Sequence, residues 1–242
     1  DALESGLEVA VGHRCPLGTG VKVGPPCGAP GYLLAGSFCT VGAMGHYCAM
    51  LRADTDYDGD AFTDDLSGSS AGSSRFLECT FQRCGLSELR APRTRFSETS
   101  LYAVHGAGID LAESSWSDSL VQGARLGAVA MYGAELSRVR FEGCKIEFLN
   151  LRGAKLVDVE FVDCQLVEVD FAEARLTRVS FEGCRLVSAD FTKGTFKDVD
   201  LTGADVAGPR GVAGLRGATI SALQLVDLGP ALAAELGIKL AD

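Results

Sequence analysis

Residues 54–65 read DTDYDGDAFTDD and hold the densest set of potential ligand groups in the chain. Asp54, Asp56, Asp58 and Asp60 with Gly59 match the opening of a calcium loop, and Asp65 stands at the twelfth position. Against calcium, the twelfth residue is aspartate where a bidentate glutamate is usual, and the glycine- and serine-rich flanks are poor helices. The second candidate cluster is Cys15, Cys27, Cys39 and Cys48 with His13 and His46. It has no close Cys-x-x-Cys pair of the kind that structural zinc sites use. Ser114, Ser115, Ser117 and Ser119 surround Trp116, yet no histidine is near enough in pattern to act as their base. His105 is the one histidine beyond residue 46. No phosphate loop or dinucleotide fingerprint occurs. The expectation is that the protein is not an enzyme, has no catalytic residues and holds no cofactor. Calcium at 54–65 stays open beside the plainer reading of a solvated acidic segment.

The elements that would have to position such groups follow from one periodicity. Every fifth residue from Phe76 to Val206 is apolar except Gly106. Two residues earlier stands a smaller one, as in Cys144, Ala154, Val159, Cys164, Val169 and Cys184. Helices repeat at 3.6 residues and strands at 2, so a period of five fits neither. Residues 141–160, 161–180 and 181–200 align with one another, with Phe141, Phe161 and Phe181 in one column. Four pentads therefore make a 20-residue coil with four sides, which can bury its inward residues only by stacking on its neighbours. The phased span of about six and a half coils predicts a rod on the order of 30 Å long at strand spacing. Leu66 and Ala71 keep the phase, whereas Tyr57 and Phe62 sit one residue off it, so the first coil is expected to be irregular.

The segments ADFTK (189–193), VDLTG (199–203), CRLVS (184–188) and VDFAE (169–173) resemble the pentapeptide repeat proteins. Residues 54–75 resemble the start of many actinobacterial members. The resemblance implies an all-β fold, a right-handed quadrilateral parallel β-helix, with the central Leu or Phe and the small residue two before it pointing inward. The reading of the chain is a Gly/Cys-rich N-terminal extension over 1–52, the β-helix over 53–220 and a helical C-terminal cap over 221–242. The cap is expected to start at Ser221, to be interrupted by Gly229-Pro230 and to place Leu225, Leu228, Leu232 and Leu236 at helical spacing. Leu215 and Ile220 are expected to point inward.

The resemblance also carries functional expectations. One is a rigid protein-interaction scaffold whose partner is not specified. The alternative is a DNA-mimicking protector of DNA gyrase, as in the quinolone-resistance members, through the acidic column Glu142, Glu160, Asp163, Glu182 and Asp200. A homodimer through the C-terminal end is a further implication.

Charge and composition bound these readings. Nearly all of the net charge of −10 resides on the repeat, which argues against direct nucleic-acid binding through phosphates. Charge is sorted by side, since Lys155, Arg175, Arg178 and Lys197 share another face with Asp158 and Asp198. Cys79, Cys84, Cys144, Cys164 and Cys184 all take the small inward position, where free buried thiols are expected, and with them a reducing cytoplasmic setting. The uncharged window 31–51 carries four glycines and His46, so no membrane span is expected. The acidic start is unlike a secretory signal.

Overall fold

The structure, a computed structural model, describes residues 50–239, which lie within the unit Cys39–Asp242. The expectations for the extension, including His13, Cys15, Cys27, Cys39, His46 and Cys48, fall outside the described residues. Residues 50–239 form a parallel β-solenoid of about eight turns closed by one C-terminal helix. Pairing is parallel throughout and advances by one coil: Leu136 lies beside Leu156, Leu156 beside Leu176 and Leu176 beside Phe196.

Each coil has four sides. Face 1 is centred on Phe76, Phe96, Trp116, Leu136, Leu156, Leu176 and Phe196. Face 2 is centred on Phe81, Leu101, Val121, Phe141, Phe161, Phe181 and Leu201. These two faces share a 12-stranded sheet, because strands such as Glu135–Glu142 and Lys155–Val162 run through the corner between them. Face 3, with Ile146, Leu166 and Leu186, is a 6-stranded sheet, while face 4, with Met131, Leu151, Phe171 and Phe191, combines a 3-stranded sheet with isolated bridges.

The period of five has a backbone cause. The residue two after each central one occupies the left-handed region in most pentads. Along the corner between faces 1 and 2, Glu78, Glu98, Asp118, Arg138, Asp158, Arg178 and Asp198 have φ between 50° and 55°. Side chains cost about 1–2 kcal/mol per residue in this region, so stacking must offset that repeatedly. The polar residue just before the centre stabilises several of these turns. Asp170 Oδ1 accepts from Ala172 N–H at 2.8 Å, Asp190 from Thr192 at 2.9 Å and Asn150 from Arg152 at 3.0 Å. These Asx turns explain the polar second letter of ADFTK and VDFAE.

The inward columns are buried and mainly apolar. Phe161 and Phe171 are fully buried and Phe181 is 2 % exposed. Phe141, Phe161 and Phe181 stack with ring centroids 4.9 Å apart. Cys79, Cys84, Cys144, Cys164 and Cys184 are free and buried.

Both ends depart from the 20-residue register. Tyr57 lies beside Phe76 and Phe62 beside Phe81, a step of 19, so the first coil is one residue short, as the phase slip predicts. At the other end Val199 lies beside Ala218, and the short turn Val212–Leu215 takes up the lost residue. Val212 is buried there, while Leu215 and Ile220 are only partly so.

The cap is helix α1, Ala222–Glu235. Ser221 caps it as expected, but Gly229-Pro230 does not interrupt it. Pro230 cannot donate to the Val226 carbonyl. Val226 is 73 % exposed, so water can take up that acceptor. The helical stripe is also narrower than its spacing suggests. Leu228 is buried and Leu232 partly so, whereas Leu225 and Leu236 face outward.

Candidate functional site

The twelve residues of the calcium motif do not form a loop. Asp56–Asp58 is a strand of face 1 and Ala61–Phe62 a strand of face 2, with Tyr57 stacked on Phe76 and Phe62 on Phe81. The coil turns between them, so the carboxylates are distributed around its perimeter. Asp56 faces Arg75 at 3.7 Å, and Asp65 accepts from the Ser67 hydroxyl at 2.6 Å and its N–H at 3.0 Å. Those hydrogen bonds hold the Asp65 carboxyl below the usual carboxylate range. Among the described residues no three His, Cys, Asp or Glu side chains converge to hold a metal. The calcium reading is corrected on this ground: a motif contiguous along the chain is not contiguous in space when the backbone changes side every five residues.

The serines around Trp116 are occupied by the fold. Ser114 Oγ accepts from the indole N–H at 2.9 Å, Ser119 Oγ donates to the Ser117 carbonyl at 2.8 Å, and Ser117 Oγ donates to Ser97 Oγ at 3.1 Å. Ser115, Ser117 and Ser137 instead floor a shallow trough of about 430 Å³ on face 1, bounded by Arg95, Glu135 and Lys155. His105 is exposed on face 3, beside Arg125 in the next coil. The buried thiols serve packing: Cys144 donates to the Val121 carbonyl at 3.3 Å. Contact with Cys164, together with burial, pushes the Cys144 and Cys184 thiols up, away from thiolate chemistry.

What the outward surface offers is charge in ordered columns. On the corner between faces 1 and 2, Arg138 grips Asp118 and Arg178 grips Asp158 through two nitrogens each. These bidentate contacts draw the Asp118 and Asp158 carboxyls below their usual range. Face 2 displays the expected acidic column, but Arg140 stands within it and pairs with both Glu142 and Glu160. That partner was legible as one rung from Glu160, once the 20-residue step is known. Face 1 displays Arg75, Arg95, Lys155, Arg175 and Lys197, with Asp56, Asp58 and Glu135 as carboxylates toward its N-terminal and middle coils.

Residues 134–209 match the family model for a pentapeptide repeat region. Those residues are a pentapeptide-repeat region. Solved pentapeptide-repeat structures show similarity at low identity. HetL, a protein involved in heterocyst differentiation regulation from the cyanobacterium Nostoc sp. strain PCC 7120, is 18 % identical over 66 % of this chain and 87 % of its own, with a TM-score of 0.35. QnrB1, a plasmid-mediated fluoroquinolone resistance protein, is 17 % identical over 77 % and 92 %, with a TM-score of 0.28. Rfr23 from the cyanobacterium Cyanothece 51142 is 11 % identical over 64 % and 83 %, with a TM-score of 0.17. None of these likenesses bears on function. Among curated proteins none matches. No helix among the described residues is long and apolar enough to cross a membrane.

Proposed function

We propose that this protein is a non-catalytic scaffold that binds another protein through the charged walls of its pentapeptide-repeat solenoid. In this reading residues 53–220 are the binding rod, 221–242 its cap and 1–52 an extension. The sorting of charge by face carries it: a rigid parallel sheet fixes each column, so a partner meets a preset pattern at little cost in ordering. The serines, His105 and buried thiols are each absent from any nucleophile–base arrangement among the described residues. The five unpaired thiols support a reducing compartment. The test is cross-linking of the full chain in its native extract, followed by mass spectrometry. A partner cross-linked to face 1 or face 2 supports the scaffold. Turnover of a substrate by the purified chain would replace it.

Protection of DNA gyrase is the second reading, favoured by Glu142, Glu160, Asp163, Glu182 and Asp200 on and beside face 2. Arg140 weakens it by neutralising the N-terminal part of that column. Supercoiling by gyrase, with and without an excess of the purified chain, decides it, and an unchanged rate removes this reading. Pairing through the C-terminal end draws support from Leu223, Leu225, Val226, Leu236 and Ile238, all more than half exposed on and just beyond α1.

A further inference from the structure

Several cations of the solenoid pair with a carboxylate one rung away. Arg138 pairs with Asp118, Arg178 with Asp158, Arg140 with Glu160, Arg185 with Asp205 and Arg210 with Asp190. On face 1 such pairing is sparse: Arg75 reaches Asp56 at 3.7 Å, and Lys155 lies beside Glu135 without forming an ion pair. Lys155 and Arg175 are direct cross-strand partners, as are Arg75 and Arg95. Like charges directly opposite are destabilising. Among the described residues Arg95, Lys155, Arg175 and Lys197 form no ion pair, and all four are exposed. An anionic surface laid on face 1 would relieve that repulsion.

The complementary surface exists on the same molecule, around the next corner. On face 2, Glu182 and Asp200 also form no ion pair among the described residues, and Glu160 has only the Arg140 that it shares with Glu142. The levels agree coil by coil. Lys155 and Glu160 belong to one coil, Arg175 and Glu182 to the next, and Lys197 and Asp200 to the one after. In each set the charges step by one coil, roughly 4.8 Å at strand spacing, and stand either just before or just after the central residue of the strand. Small residues lie between the charges, with Val157 and Thr177 on face 1 and Val162 and Ser180 on face 2, so two such sheets can approach closely.

We propose that face 1 docks on face 2 of a second copy of this chain, with the solenoids side by side, parallel and in rung-for-rung register. One surface of each kind per copy makes the contact heterologous. Faces 1 and 2 meet at a corner of a four-sided coil, so each added copy is turned by about a quarter, and the series closes into a ring at about four copies instead of growing as a fibre. The contact is independent of pairing through α1. It is electrostatic and exposed at its rim, hence weak at high salt.

The test uses the full chain, with its mass in solution followed against concentration at low and high salt. The wild type is expected to rise from one chain toward four at low salt and to return to one at high salt. Lys155→Glu with Arg175→Glu gives a copy with two acidic faces, and Glu160→Lys with Glu182→Lys gives one with two basic faces. Each variant alone is expected to lose at least tenfold in self-affinity. An equimolar mixture of the two is expected to assemble again, which failure to fold could not produce. A wild type that stays a single chain overturns the proposal. So does a two-chain particle insensitive to either reversal, which belongs to α1, or a mixture that does not assemble.

Discussion

At the scale of single residues, Gly106 is the informative exception to the inward column. Restoring the period with Gly106→Leu looks like an improvement on the sequence alone. In the solenoid Gly106 has φ of 155°, and a Cβ there would lie 2.6 Å from Ser87 N and 2.7 Å from the Leu86 carbonyl carbon. We therefore expect Gly106→Leu to destabilise by about 1–3 kcal/mol, seen as a lower midpoint in urea unfolding. The charge ladder sets a second expectation. Asp118 and Asp158 have folded pKa values drawn below their unfolded value by Arg138 and Arg178. Their contribution is therefore present above the unfolded carboxylate pKa and lost as pH falls through the folded one. The Tm difference between the wild type and Arg138→Ala/Arg178→Ala should be constant from neutral pH to about 5 and vanish in strong acid. High salt should shrink it at every pH, since both pairs are exposed.

At the scale of elements, the join between solenoid and cap depends on Gln224. Its side-chain N–H groups donate to the Leu201 and Ala204 carbonyls at 2.6 Å each, and its Oε1 accepts from Ser221 N–H at 2.7 Å. Ser221 Oγ in turn accepts from Gln224 N–H at 3.2 Å, which completes a capping box. One side chain thus starts the helix, fills the Ala204 carbonyl and shares the Leu201 carbonyl with the N–H of Ala204. Gln224→Ala should cost about 1–3 kcal/mol and Ser221→Ala about 1 kcal/mol. The double variant should cost less than their sum, because the two residues share the box. The spacing of Ser221 and Gln224 is the ordinary Ser-x-x-Gln signature and was open to reading, whereas the two carbonyl contacts were not. They depend on where the chain lies 20 and 23 residues earlier. The short first and last coils divide the same way. The slips at Tyr57 and Phe62 and, after Val206, at Leu215 and Ile220 show in the phase, while the short turn at Val212–Leu215 that takes up the second one does not.

At the scale of the whole solenoid, stability comes from columns and not from a single centre. Phe161 stacks between Phe141 and Phe181, so Phe161→Ala should cost about 3–5 kcal/mol and loosen both neighbouring coils. Hydrogen exchange should show the loss of protection spreading along the rungs. The five described thiols should resist alkylation until the solenoid opens, which peptide mass spectrometry after brief labelling would show; rapid labelling of Cys164 in the native state would contradict its burial. The sequence by itself determined the coil, its four sides and the identity of nearly every buried residue. It could do so because inward orientation repeats locally, every five residues, and apolar burial leaves a mark at each step. It left calcium at 54–65 open beside the acidic coil and missed the pairing of Arg140 with Glu142 and Glu160. It did not show that Arg95, Lys155, Arg175 and Lys197 on face 1 form no ion pair among the described residues. These properties belong to neighbours 20 residues apart, or to residues parted by a corner, and only stacking brings them within the few ångströms over which charges select one another.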